Sequence, residues 1–248
     1  MATYYVGWDV GAWKCSEKGK SCDAIVWARE EGSSSALRSK LQVNEFIGNI
    51  GEKVDFQKIT VPQILQNLIP KMGGDDDVYI AIDAALGWPC EFMNLLNGKS
   101  DYMPNLDEKI FSNRFLYRET ERYVYNQTKP KVLPKTTVGD RIGGHSAKII
   151  SILKRSGLTP NNEGVWNPQD DFVINLKVLE TYPAAVRQVI SKETPSTIFE
   201  YGNNKRSDYY DAVYCMYIAY KYCKCRRELH CPQQDVSLEG WIWFPKGK

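Results

Sequence analysis

Three stretches of this chain are apolar runs of strand length, and each ends on an acid. Tyr4–Val10 (YYVGWDV) carries Asp9 near its end, Val78–Ile82 (VYIAI) is followed at once by Asp83, and Phe172–Leu179 (FVINLKVL) by Glu180. A continuous run without polar alternation suits a strand covered on both faces, as in the parallel part of an α/β sheet. Ligands of open α/β sheets collect outside the carboxyl ends of the strands, so the three acids are expected along one sheet edge.

The segments between these runs fix the rest of the expected architecture. Ala24–Arg29 (AIVWAR) and Ala36–Val43 (ALRSKLQV) flank the turn-like EEGSSS and read as two further strands, antiparallel to the first. Val61–Lys71, with proline in its first turn, reads as a crossover helix. Arg118–Asn126 and Pro183–Ser191 also read as helices. Asp140–Gly157 reads as a helix with Asp140 as its N-cap and Gly157 as its stop. Asp208–Lys224 is a long helix that places Asp208 and Asp211 on one face, and Glu239–Pro245 (EGWIWFP) is a final strand or extended segment. The sum is an α/β chain with a mixed sheet of about five strands, the first three antiparallel, and helices on both faces. One domain over residues 1–248 is expected, with an irregular insertion around residues 90–135.

Composition adds mostly exclusions. A hydrophobic fraction of 43%, a charged fraction of 25% and a formal charge of +2 are those of an ordinary globular chain, so any phosphate-binding surface must be local. The start, MATYYVGWDV, has no basic segment leading into an apolar run, and no stretch has the apolar length to span a bilayer. A cytoplasmic protein without membrane association is expected. Seven cysteines are too few for a disulfide scaffold, and reduced thiols are expected, Cys15 and Cys22 included. Cys223, Cys225, His230 and Cys231 lack the paired knuckles of a structural zinc site.

Acids converging from distant segments suit Mg²⁺ or Mn²⁺, hard ions that prefer oxygen ligands. Unrelieved, such carboxylates repel one another and drive at least one toward protonation. Asp9, Asp83, Glu180, Asp208 and Asp211 are therefore the candidate metal ligands, and Asp9, Asp83, Glu180 and Asp211 the candidate catalytic residues. Two ions would divide activation of water and stabilisation of the leaving oxygen between them. Each acid also has a plainer reading: aspartates after strands shape turns, Glu180 could cap the next helix, and Asp208 could be an acid favoured at a helix N-terminus.

Seven motifs in order carry a family resemblance: GWDVG (Gly7–Gly11), AIDAALGWP (Ala81–Pro89), RETERYV (Arg118–Val124), the G-x-x-A-K helix (Gly144–Lys148), LETYPAAV (Leu179–Val186), KRSDYYDAVYCMYIAY (Lys205–Tyr220) and EGWIWFP (Glu239–Pro245). In these the chain resembles the family called domain of unknown function 429, regarded as RNase H-like nucleases. Its Asp-x-x-Asp-Ala helix also resembles the last acidic helix of RuvC-type Holliday-junction resolvases. The resemblance implies an RNase H-like fold with a five-stranded mixed sheet, and a nuclease role; the loop after Pro89, where the family varies, leaves the substrate open.

Arg118, Arg122, Arg141, Lys148 and Lys205 are the expected contacts to a nucleic-acid phosphate, arginine's fork matching phosphate oxygens. Arg118 and Arg122 could equally pair with Glu119 and Glu121 on a solvated helix face. His145 follows two glycines and is given no role; GDRIGGHSAK lacks the spacing of a phosphate loop. Tryptophans 8, 13, 88, 241 and 243 suit base stacking and core packing alike. The expected function is metal-dependent hydrolysis of phosphodiester bonds in DNA or RNA; the alternative is a non-catalytic module of the same fold that binds nucleic acid or protein. A sugar-kinase-like phosphotransferase needs two such domains, and this chain is too short. DNA versus RNA, cleavage within the chain or from an end, and oligomeric state are not readable from the sequence.

Overall fold

The computed structural model describes the chain except residues 13–21, 33–38, 51–57, 106, 108, 141, 170–174, 205 and 248. Its strands are β1 (Ala2–Asp9), β2 (Asp23–Glu31), β3 (Leu41–Gly48), β4 (Asp77–Asp83), β5 (Leu158–Pro160), β6 (Trp166–Pro168), β7 (Asn175–Glu180) and β8 (Phe199–Glu200). Its helices are α1 (Val61–Leu68), α2 (Cys90–Leu96), α3 (Glu119–Gln127), α4 (Gly143–Arg155), α5 (Pro183–Val189) and α6 (Ser207–Cys225). The strands form one mixed sheet in the order β5-β6-β7-β4-β1-β2-β3-β8. β1 to β3 are antiparallel neighbours as expected, and β1, β4 and β7 run parallel. Among the described residues the sheet has eight strands rather than about five: β5 and β6 make a short hairpin against β7, and β8 adds a two-residue edge to β3.

Alternation along the central strands divides the core in two. Tyr4, Val6 and Trp8 of β1 join Ile80 and Ile82 of β4 under α1 and α4, whereas Tyr5 and Ala81 face α6. Helices thus cover both faces. The approach of α6 is set by Gly7: a Cβ there would lie 1.9 Å from the carbonyl oxygen of Ala212 and 2.4 Å from the amide nitrogen of Met216. The helix backbone rests directly on β1, so Gly7 serves this contact. Gly11 is filled in the same way, by the backbone of Cys22 and Asp23 at 2.4 and 2.5 Å from such a Cβ.

Helix ends show where local chemistry prevails over pattern. α1 opens on Thr60, whose hydroxyl accepts from the Gln63 amide while the Gln63 side chain accepts from the Thr60 amide. It stops at Leu68, short of the expected Lys71, because Pro70 disfavours helical geometry in the residue before it. Asp140 is not the cap of α4: its carboxylate accepts from the Thr136 amide at 2.7 Å, and the helix starts at Gly143. Glu239 lies in a turn followed by Gly240 at positive φ, and the residues after it form isolated bridges, Ile242 with Glu180 and Pro245 with Leu229, in place of the expected final strand. Cys22 is disulfide-bonded, which corrects the expectation of a reduced thiol there; Cys90, Cys215, Cys223, Cys225 and Cys231 are free. Among the described residues no helix is long and apolar enough to cross a membrane.

Candidate active site

Asp9 and Asp83 are direct register partners at the ends of the adjacent parallel strands β1 and β4. Such partners sit one strand spacing apart, roughly 4.8 Å, with side chains on the same face. Alternation puts both on the face covered by α6, and the Gly7 contact brings Asp211, the residue before Ala212, to the same place. Asp9, Asp83 and Asp211 line one cavity of about 270 Å³ together with Lys135, His145, Glu180, Tyr182 and Arg187.

The like charges and partial burial leave their mark on protonation. Burial, then the charges of Asp83, Asp211, Asp208 and Asp23, pushes the Asp9 carboxyl up to about 9. Burial and Asp211 push Asp83 up to about 7, against the opposing pull of Arg187 and Lys135. Asp211 is also raised by burial, although Arg187 donates a hydrogen bond to it and holds it back. At neutral pH without a cation the cluster therefore keeps protons that ordinary aspartates release.

Glu180 belongs to a different arrangement. It pairs with Ile82, one residue before Asp83, so alternation aims it toward the opposite face. Its carboxylate accepts from both terminal nitrogens of Arg118, at 2.9 and 2.5 Å, and from the Leu86 amide at 2.8 Å. Arg118 is 1% exposed. Its Nε reaches Glu121 at 2.7 Å, Nη2 also lies 2.5 Å from that carboxylate, and Nη1 donates to the Glu239 carbonyl at 2.5 Å. Four guanidinium hydrogen bonds, from all three nitrogens, thus run to protein acceptors, and the group is committed to the interior rather than to a phosphate. Arg118 is an internal tie where a substrate clamp was expected, and Glu180 is its counter-ion. Gly240 makes the tie possible: with φ +77°, it carries the chain over the pair where a Cβ would lie 3.0 Å from the Glu180 carboxylate and 3.2 Å from Arg118.

Lys148 is likewise internal. Fully buried on α4, it sits 2.9 Å from both oxygens of Asp23, which also accepts from the Trp8 indole and the Gly11 amide. This pair pins the end of β1 to β2, and it corrects the expectation that Lys148 meets substrate. Arg122 donates to the Tyr117 carbonyl and lines a separate polar cleft with Arg114 and Glu239. Asp208 lies one turn before Asp211, outside the cavity wall but near enough to raise Asp9. Arg141 and Lys205 lie outside the described residues.

Three wall residues were given no role from the sequence. Lys135 comes from the irregular stretch before α4, where no period signals a role. Arg187, in the last turn of α5, faces Asp211. His145 stands in the first turn of α4, and burial and the charge of Lys148 hold its imidazole below its usual range, neutral at pH 7 and able to accept a proton.

Among the described residues no group of three or more histidine, cysteine, aspartate or glutamate side chains is gathered so as to hold a metal ion. The donor chemistry nevertheless fits one cation: Asp9 and Asp83 supply two adjacent oxygen ligands whose mutual repulsion a cation relieves, and Mg²⁺ is commonly held by one or two carboxylates plus waters. A second ion built on Glu180 does not fit, since Arg118 occupies that carboxylate. Comparison with family models, curated proteins and solved structures finds no match to this chain.

Proposed function

We propose that the chain is a metal-dependent hydrolase of phosphodiester bonds in nucleic acid, with an RNase H-like fold of the domain of unknown function 429 type. The observation that carries this reading is the in-register pair Asp9 and Asp83, both held above the ordinary carboxylate range in the wall of one cavity. Strongly perturbed acids in a cleft mark functional sites more often than structural ones. The fold reading is supported by the antiparallel run of the first three strands, beside which β4 and β7 add parallel to β1.

Asp9 and Asp83 would hold a Mg²⁺ or Mn²⁺ ion, with Asp211 as the third acid. A bound ion of this kind polarises a phosphoryl oxygen and lowers the pKa of water. Lys135 and Arg187 place positive charge on the cavity wall, where a phosphate is attracted and oriented. Neutral His145 can take the proton that the attacking water gives up. The Arg118–Glu180 and Lys148–Asp23 pairs fix the strand ends that carry the acids, which keeps the constellation rigid.

The test is incubation of the purified chain with single-stranded and duplex DNA and RNA in Mg²⁺ and in Mn²⁺. Cleavage of at least one polymer, stopped by chelator, is the expected result. No cleavage of any of the four overturns hydrolysis and leaves the non-catalytic binding module, measurable as retention of the same polymers.

A further inference from the structure

Arg187 lies on α5 and Asp211 on α6, and the two form an ion pair in the wall of the cavity that holds Asp9 and Asp83. The Arg187 guanidinium is also seated over the Tyr214 ring, 5.5 Å from its centroid. Asp211 and Tyr214 are three residues apart, hence on one face of α6, so the arginine is received by two groups one turn apart. It is still 37% exposed at its side chain, against 23% for Asp211. An ion pair this open contributes little to stability. Its position matters more, because it directs a cation at the one acid of the three that stands outside the register pair.

We infer that Arg187 is a resident cation that competes with a divalent metal for Asp211, so that loading the site requires Asp211 to exchange a guanidinium for the ion. This rests on the reading of Asp9 and Asp83 as metal ligands. Before exchange, Arg187 offsets part of the negative charge that three neighbouring carboxylates concentrate. After exchange, the guanidinium remains on the cavity wall with its fork free toward an incoming phosphate. Arg187 acts on the metal through Asp211 and is therefore a positioning residue.

The experiment is titration calorimetry of Mn²⁺ into wild type, Arg187→Gln, Arg187→Met and Arg187→Lys at pH 8, with circular dichroism to confirm folding. Methionine keeps an apolar stem for Tyr214 to cover, so it guards against a packing defect in the glutamine variant. Removing the competing charge is expected to tighten Mn²⁺ binding about fivefold in both neutral variants. The lysine variant, which keeps the charge, is expected to stay within about twofold of wild type. Unchanged or weaker binding in the neutral variants, with wild type still binding Mn²⁺, overturns the exchange and leaves hydrolysis standing. Absence of Mn²⁺ binding in all four chains removes both.

Discussion

Asp9 and Asp83 face the same side of the sheet as direct register partners on neighbouring parallel strands, and among the described residues neither has a dedicated counter-ion as Glu180 has in Arg118 and Asp23 in Lys148. Among the described residues the buried cations Arg118 and Lys148 are thus spent on acids that hold the frame. The pair in the cavity wall is left to repel, and each consequence of that can be measured.

The metal-free protein should lose stability as pH rises. Both carboxyls have folded-state values, about 9 for Asp9 and about 7 for Asp83, above the roughly 4 of an unfolded aspartate. The folded state then binds protons that the unfolded chain has released, so the stabilisation is complete below pH ~4 and is lost as pH climbs through about 7 and on to about 9. Thermal melts in chelator should fall between pH 5 and pH 9. A melting temperature that rises over that range contradicts the protonation assigned to the pair.

Divalent metal should reverse this loss. An ion that binds only the folded state stabilises it by mass action, so millimolar Mg²⁺ or Mn²⁺ is expected to raise the melting temperature at pH 8. At pH 5 protons occupy the same carboxylates and the gain should shrink. An equal shift at both pH values would place the bound metal elsewhere.

Arg118→Ala should destabilise the protein rather than merely weaken substrate binding. It strips two buried carboxylates, Glu121 and Glu180, of their partner. Breaking a buried pair from one side costs about 3–5 kcal/mol, readable as a lower urea midpoint. A variant of wild-type stability that has lost only nucleic-acid affinity would restore the role of phosphate clamp.

Gly7→Ala should separate Asp211 from the register pair. The added methyl group meets the α6 backbone at 1.9 Å, which no side-chain rotation relieves. Overpacking of this kind costs about 1–3 kcal/mol, and the helix must move away from β1. Mn²⁺ affinity should fall together with stability; normal affinity in a destabilised variant would show that Asp211 is not needed at the ion.

The positions of Asp9 and Asp83 were legible because each ends a run that is apolar on both faces, a pattern that only a central strand requires. Their being side by side was not, since parallel pairing joins segments far apart in sequence and leaves no local trace. The role of Arg118 was misread for the same reason: Glu180 lies 62 residues away, and RETERYV looks like a charged surface helix until both ends of the tie are placed. β5, β6 and β8 are two or three residues long, too short for any period, and β5 and β6 each end on proline. Arg187 was hidden within PAAVRQV, where proline and apolar spacing announce a helix and nothing announces what its last turn faces. Lys135 sits in an irregular stretch with no period to announce it.

The rate of nucleic-acid cleavage by Asp9→Asn, per folded molecule and against wild type in Mn²⁺ at pH 8, addresses the chemistry itself. The amide keeps the shape of the side chain and removes the charge that holds the cation, so cleavage should fall by orders of magnitude. Because the same change removes a strained carboxylate, the variant should fold as well as wild type and melt higher at pH 9. A variant that is less stable but cleaves at the wild-type rate per folded molecule would make Asp9 a turn-former, and the metal site would have to be abandoned.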